Sequence, residues 1–543
     1  MYMKKISLFS LVVSFLLLCA CNEDVIDNKP PALPTQPIII LYDNDVHCSI
    51  DGYPMLVSLR DKNLSASSYV STVSCGDFSS GGHIGSISKG EGIVEIMNYV
   101  GYDVVALGNH ELDYGTPQMF NLTGALDAPV VCANFKNVQT DTYPYPAYHI
   151  IRYGEVDVAY IGFTTTTSGT IKSLSDEQGN VLYNFMREDF YQRAQHSIDE
   201  ARKNGADYVV ALAHLGDSEK SGGHPNSIGL INNTTGVDAV IDAHDHHVIE
   251  EQFVNNNEGK PVLLTSSGSN FRYIGQLTIN TDGTMQSSLV DVASGDISAD
   301  SNTQQFINQV KEDISSQGNF VIGYSEVDLT IRDVYGNRIV RNQESNLGDF
   351  CADALRIFTD ADIALVNGGA IRTTINRGEI LFNDLYNVMP FGDMIATGSL
   401  SGQQLLDILE FSVSSLPSES GAFMQVSGLR FEVDSSIPSP IVKDEKTSLF
   451  SYVGQGKRRV SHLEVFDKQS GEYKEVECSH IYTMATLDYL ILEQGGSGIF
   501  NQVKPIDTYW GADIEILRHY LETTLAGNVG NEYGLPQNRI IIK

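Results

Sequence analysis

At 543 residues the chain exceeds what one hydrophobic core comfortably holds, so two large domains are expected. Hydrophobic residues at 42% and charged residues at 19% exclude wholesale disorder. A formal net charge of −33 excludes wrapping of a nucleic acid polymer, but not binding of a small phosphate ester where a local cation reverses the field.

Lys4 and Lys5 precede an apolar run from Ile6 to Leu18, then Cys19, Ala20, Cys21 and a polar stretch. A basic start with so short a run reads as a secretory signal rather than a membrane span. Leu18-Cys19-Ala20-Cys21 resembles a bacterial lipobox. The resemblance implies cleavage before Cys21, acylation of its thiol, and a lipoprotein of the bacterial cell envelope facing the periplasm or the cell surface. The expected organisation begins with a signal peptide over 1–20 and a Pro-rich tether over 21–37.

Beyond the tether, strands are expected at 38–42, 69–75, 102–107, 129–133, 156–162, 207–213, 237–242 and 261–266. Helices such as 91–101 and 190–205 fall between them and end at glycine. This alternation predicts an α/β domain over 38–299. Phe306, Ile307, Val310 and Ile314 share one face of a predicted linker helix over 300–317, closed by Gly318. A second α/β region follows over 318–543. Cys48, Cys75, Cys132, Cys351 and Cys478 are too scattered for a disulfide framework or a zinc finger, and packed thiols are expected near the ligands.

Five of the expected strands run into loops carrying metal-type ligands: IIILYDNDVH (38–47), YVSTVSCGD (69–77), YDVVALGNHE (102–111), DYVVALAHLGD (207–217) and VDAVIDAHDHH (237–247). Parallel neighbours in one sheet would deliver all five loops to one edge, where α/β sheets place their ligands. Asp45 and His47 lie two apart on an extended segment, so both point to one side. Gly76 and Gly108 let the backbone turn before Asp77 and before Asn109-His110. With His214, His244 and His246 these residues form a mixed oxygen and nitrogen set suited to zinc, manganese or iron. Seven or eight candidates exceed what one ion takes and suggest two metals sharing a carboxylate, the clamp used in phosphoryl transfer. Ten of the thirteen histidines precede residue 290, which assigns the metal chemistry to the first domain.

In this order of motifs the sequence resembles the calcineurin-like metallophosphoesterases, and within them the secreted 5′-nucleotidase and UDP-sugar hydrolase family. The resemblance implies an αββα sandwich for the first domain, a linker helix, and a C-terminal α/β substrate-binding domain. It implies one divalent ion on Asp45, His47, Asp77 and His246, and a second on Asp77, Asn109, His214 and His244, with Asp77 as the bridge. It also implies a catalytic pair of His110 and Asp113, the imidazole contacting the phosphoryl group and the carboxylate orienting it. In the second domain, RNQESNLGDFCADALR (341–356), VNGGAIR (366–372), NVMPFGDMI (387–395), MQVSGLRF (424–431) and MATLDYLILEQGGSGIF (484–500) resemble the family's substrate-binding half. Phe391 and Tyr489 match the aromatics that sandwich a base, and Arg341, Asn367 and Arg372 match positions near phosphate and ribose. Ser497 stands where the family usually has an aspartate gripping ribose hydroxyls, and Asp393 where it commonly has asparagine.

The expected function is a lipid-anchored, two-metal phosphohydrolase releasing phosphate from nucleoside 5′-monophosphates or related extracellular nucleotides, by in-line attack of metal-activated water. The alternatives on the same site are a cyclic-nucleotide or sugar-nucleotide phosphodiesterase and a non-nucleotide phosphoesterase, kept open by Ser497. A surface binding protein without turnover stands last, since no ligand of the set is missing.

Overall fold

The period-two pattern of the first strand organises the whole N-terminal half. In Ile38–Asp43 (β1) every residue is buried: Ile38, Ile40 and Tyr42 face one core while Ile39 and Leu41 face another. A strand buried on both faces must lie inside a layered structure, and it does. The computed structural model describes residues 31–543 apart from 167–173, 176–177, 179, 218–223, 444–449, 453–456, 492–497 and 508–509. The expected signal peptide, Cys21, most of the tether and Ser497 lie outside the described residues.

The strands that follow are Val70–Ser74 (β2), Val104–Ala106 (β3), Val130–Val131 (β4), Phe135–Asn137 (β5), Tyr148–Tyr153 (β6), Val156–Thr164 (β7) and Tyr183–Phe185 (β8). Then come Tyr208–His214 (β9), Ala239–Asp242 (β10), Val248–Asn255 (β11), Pro261–Ser267 (β12), Tyr273–Ile279 (β13) and Met285–Asp291 (β14). Two six-stranded sheets form, in the orders β14-β13-β1-β2-β3-β4 and β11-β12-β10-β9-β7-β6. Within them β1 to β4 run parallel, as do β7, β9, β10 and β12. The sheets stack through Ile38, Ile40, Tyr42, Val73 and Val104 on one side and Val158, Tyr160, Val210, Leu212 and Ile241 on the other. Burial of each such side chain contributes about 1.5–3 kcal/mol.

Helices cover the outer faces. Tyr53–Leu64 and Glu91–Val100 pack on the first sheet, Ser301–Gln317 lies across those helices, and Phe190–Lys203 and Ser227–Asn233 pack on the second sheet. The expectation of a single sheet edge is corrected here: three ligand loops leave the first sheet, after β1, β2 and β3, and two leave the second, after β9 and β10. The sheets are stacked so that the five loops still converge.

Ser301–Gln317 begins where the Asp300 side chain accepts from Thr303 N at 2.8 Å and ends at Gly318. Its Ile307, Val310 and Ile314 bury against the first sheet's outer core, and Phe306 stacks on Tyr99 at 4.0 Å. The helix is thus part of the N-terminal layer structure as well as its exit. The C-terminal half is built on a five-stranded mixed sheet with the strand order Met424–Ser427, Ile363–Asn367, Ile481–Leu487, Ile395–Ser401, Lys504–Asp507. Asn346–Thr359 packs into the core on one face, and Gly402–Ser412 into the core on the other. The two halves meet where Gly392 approaches Gly82 so closely that a Cβ on Gly392 would lie 2.7 Å from the Gly82 Cα.

Candidate functional site

The loop after β1 continues to pair with the loop after β2 beyond the strands themselves. Cys75 N donates to Asp43 O at 3.0 Å, Asp45 N to Gly76 O at 3.1 Å and His47 N to Asp77 O at 2.9 Å. Asp45 and His47 therefore stand directly beside Asp77. The loop after β3 closes on them through glycine. A Cβ at Gly76 would lie 2.3 Å from Gly108 N, and a Cβ at Gly108 would lie 2.3 Å from Asp77 Oδ1. Neither position tolerates a side chain, and that close approach brings Asn109 and His110 to the same point.

Two donor sets result. Asp45, His47 and His246 present ligand atoms all within 4.8 Å of one another, and so do Asp77, His214 and His244. His47 Nε2 and His246 Nε2 face each other at 3.0 Å, and His246 Nε2 lies 3.6 Å from Asp45 Oδ1. His214 Nε2 lies 2.9 Å from Asp77 Oδ2, 3.1 Å from Asn109 Oδ1 and 3.8 Å from Asp45 Oδ1, so that nitrogen links the two sets. His214 Nδ1 is held by Cys75 O at 2.8 Å, which orients the ring with Nε2 toward the carboxylates. All seven expected metal ligands are brought together.

Their electrostatics suit a pair of divalent cations. Burial pushes the Asp45 carboxyl up to about 7, partly offset by His214. Asp77 is also buried, yet His214 and His110 hold it well below the usual carboxylate range. Burial pushes His47 down to about 4, His244 to about 3 and His246 well below its ordinary value, so these three rings are neutral and ready to ligate. His47 Nδ1 is buried without a hydrogen-bond partner. A converging set of two carboxylates, one amide and four imidazoles fits two divalent metal ions. The ligand backbone is strained: Asp45, His47, Asp77, His244 and His246 all have φ between +47° and +86°.

Beside the donor sets, His110 Nδ1 lies 2.8 Å from Asp113 Oδ2, and Ser80 Oγ donates to the same oxygen at 2.6 Å. His110 N donates to Asp77 Oδ1 at 2.7 Å, so one carboxylate ties the pair to the metal ligands. Burial alone would lower the His110 imidazole, but Asp113 and Asp77 overcome it and raise it to about 10. Two neighbours escaped the sequence reading. Asn44 donates to Asp45 Oδ2 at 2.7 Å and to Gly268 O, locking the first ligand, and Ser80 braces Asp113. Asn44 carried a signal, as a buried amide in the D-N-D-x-H run; Ser80 carried none. Cys48 and Cys75 are free, buried thiols, as expected.

The substrate-side residues are less gathered. Phe391 is 59% exposed, with the Arg372 guanidinium 5.5 Å from its ring centre. It lines a cleft of about 520 Å³ whose other walls include His47, Asn270, Lys311, Tyr386 and Asn387, so the cleft runs from a metal ligand to an exposed aromatic face. Asn367 is buried at the end of its strand with Oδ1 unpartnered, and Arg341 is half-buried with Nε unpartnered. Tyr489 packs between the two C-terminal cores and is not among the residues lining the Phe391 cleft. Asp393 N-terminally flanks the strand Ile395–Ser401, and its carbonyl accepts from Asp513 N at 2.9 Å.

Residues 321–504 match the family described as 5′-nucleotidase, C-terminal domain, and residues 75–264 match bacterial capsule synthesis protein PGA_cap. The chain is 23% identical over 545 residues to the trifunctional nucleotide phosphoesterase protein YfkN of Bacillus subtilis, covering 92% of this chain but 35% of that protein. The chain thus spans about a third of that longer relative. It is 25% identical over 528 residues to a 5′-nucleotidase of Vibrio parahaemolyticus, covering 88% of this chain and 86% of the relative. The fold matches the Haemophilus influenzae NAD nucleotidase with a TM-score of 0.65 at 18% identity, over 93% of this chain and 99% of the other.

Proposed function

We infer that this chain belongs to the two-domain 5′-nucleotidase family and is a metal-dependent phosphoric ester hydrolase that releases phosphate from nucleoside 5′-monophosphates. The observation that carries the reading is the pair of donor sets joined at His214 and Asp77, with the His110–Asp113 pair tied to Asp77. Two divalent ions held there would polarise a phosphoryl oxygen and supply a nucleophile at neutral pH. Asp77 and Asp45 fix the spacing of the donors, and Asn109 and His214 close the second set. His110 carries a proton held by Asp113, so its imidazolium meets the charge that grows on the phosphoryl oxygens in the transition state. Phe391 offers its exposed face to a base, and stacking of this kind tolerates both purines and pyrimidines. Arg341, Asn367 and Arg372 carry polar atoms suited to ribose and phosphate.

The test is hydrolysis by the purified protein, with manganese or zinc, of AMP, UMP, UDP-glucose, 2′,3′-cyclic AMP and p-nitrophenyl phosphate. Release of phosphate fastest from AMP or UMP is the expected result; turnover confined to the diesters would transfer the reading to a phosphodiesterase. No helix among the described residues is long and apolar enough to cross a membrane. Attachment to the bacterial envelope rests on the Leu18–Cys21 motif, and Cys21→Ala is expected to move the protein from the membrane fraction to the soluble one.

A further inference from the structure

One residue of the G-N-H-E run has no part in the chemistry above, yet it is fully buried and its carboxylate accepts five hydrogen bonds. Glu111 sits in the short 3-10 turn His110–Leu112, with no surface exposed. Its Oε2 accepts from Gly108 N at 2.8 Å and from Asp77 N at 3.0 Å. Its Oε1 accepts from Phe78 N at 2.9 Å, Ser79 N at 3.1 Å and Ser79 Oγ at 3.2 Å. Among the described residues no lysine or arginine pairs with it. Four peptide amides and a hydroxyl solvate the carboxylate instead, a nest of the kind that stabilises buried anions.

The donors come from two loops, Asp77 to Ser79 on one and Gly108 on the other, and these are the loops that carry Asp77 on one side and Asn109 and His110 on the other. The geometry points to Glu111 as a positioning residue that clamps the β2 and β3 loops together and so fixes Asp77 relative to Asn109 and to the His110–Asp113 pair. The reasons lie in the neighbouring contacts. Asp77 has a left-handed φ of +55°, a conformation that needs external restraint in a residue with a side chain. Its own N–H is held by Glu111, while its carboxylate oxygens are aimed at His110 N and His214 Nε2. Gly76 and Gly108 bring the loops into contact, but contact alone sets no register. The two carboxylate oxygens do, because each bonds donors in a fixed direction: Oε2 bridges the loops, and Oε1 grips three donors on the β2 side.

This role rests on the proposed metal site, and it is tested apart from turnover. Glu111→Gln keeps the size but replaces one oxygen by an NH2 group, which must face amide donors on one side or the other. Affinity for manganese, measured by titration of the metal-free protein, is expected to fall about 10- to 100-fold at both equivalents, the range for lost partners of metal ligands. The rise in Tm on metal addition is expected to shrink, and kcat at saturating metal to fall with KM unchanged. If the variant binds manganese as wild type does and gains the same Tm increment, the clamp is refuted, even where the metal-free Tm has dropped. Should Glu111→Gln fail to fold, Glu111→Asp keeps the charge but is one methylene too short to hold both loops, and it is judged by the same two metal readouts. A wild type that binds two equivalents of manganese but hydrolyses no phosphate ester would overturn the nucleotidase reading while leaving the clamp standing.

Discussion

Asp113→Asn isolates the role of one charge. Asp113 Oδ2 lies 2.8 Å from His110 Nδ1, and the His110 side chain is 4% exposed against 32% for Asp113. The pair is therefore sheltered on the histidine side and wet on the other. Asparagine keeps the shape and an acceptor oxygen, and it keeps the Ser80 hydroxyl as a partner, so the perturbation is loss of charge rather than loss of contact. A hydrogen bond to a charged group contributes about 1.5–3 kcal/mol and a neutral one about 0.5–1.5 kcal/mol. Because the imidazolium has its largest effect when charge develops on the phosphoryl group, the difference of about 1–2.5 kcal/mol should appear in kcat, as a fall of about 5- to 70-fold. Asp113 is also the foremost group that raises the His110 imidazole against burial. Without it the ring deprotonates at lower pH, and the alkaline limb of the kcat profile should shift to the acid side. Steady-state kinetics with AMP across pH 6 to 10, beside metal analysis, read both effects. A kcat within twofold of wild type with an unmoved alkaline limb would refute the assignment, and loss of metal in the variant would show that Asp113 acts on the donor sets instead.

Three further outcomes are expected. In metal-free protein His110 and His214 titrate at about 10 and about 9, above their unfolded value, so the stability they contribute is complete below about pH 6.5 and is lost as pH rises through these values. Thermal melts of chelated protein should thus fall between pH 7 and 10, and more steeply than melts of metal-loaded protein; a flat profile would contradict the charged state of both rings. Phe391→Ala should raise KM for AMP and UMP about 5- to 150-fold, from about 1–3 kcal/mol of stacking, with Tm and the KM for β-glycerophosphate unchanged. An equal loss on both substrate types would remove the stacking role. His246→Gly should shift the metal-free Tm by less than about 3 °C, since glycine accepts the φ of +56° that histidine occupies under strain, while at least halving the metal-induced rise.

Much of the site was legible because strand ends carrying Asp, Asn and His are chemically conspicuous, and D-x-H, G-D, G-N-H-E, H and H-x-H are each local patterns. The layer structure was less so. Whether β9 and β10 share a sheet with β1 depends on long-range pairing that no local period encodes, and an apolar run such as Tyr208–Ala213 reads alike in either sheet. Glu111 was visible as a letter of its motif, but its partners are peptide amides at Asp77, Phe78 and Ser79, and backbone donors leave no trace in residue type. Phe391 and Arg372 were named from motifs and stand together at the cleft, whereas Tyr489 is held between two cores, a placement set by how the sheet's faces pack.

The backbone at the ligands sets a demanding condition on the residues that occupy it. A left-handed φ is ordinarily given to glycine, because a side chain there costs about 1–3 kcal/mol. At Asp45, His47, Asp77, His244 and His246 the chain turns at the ligand itself, so glycine would relieve the strain and abolish the donor. Hydrogen bonds hold the strained Asp45, Asp77 and His244 in place. His244 N donates to Asp45 Oδ2 at 3.0 Å, Asn44 braces the same carboxylate, and Glu111 holds Asp77 from behind. The glycines are placed one step away, at Gly76 and Gly108, where what is needed is not freedom of φ alone but room for another loop to touch. The centre is thus built from three kinds of position that cannot be exchanged: donors that accept strain, glycines that permit contact, and buried acceptors that hold the turned loops in register.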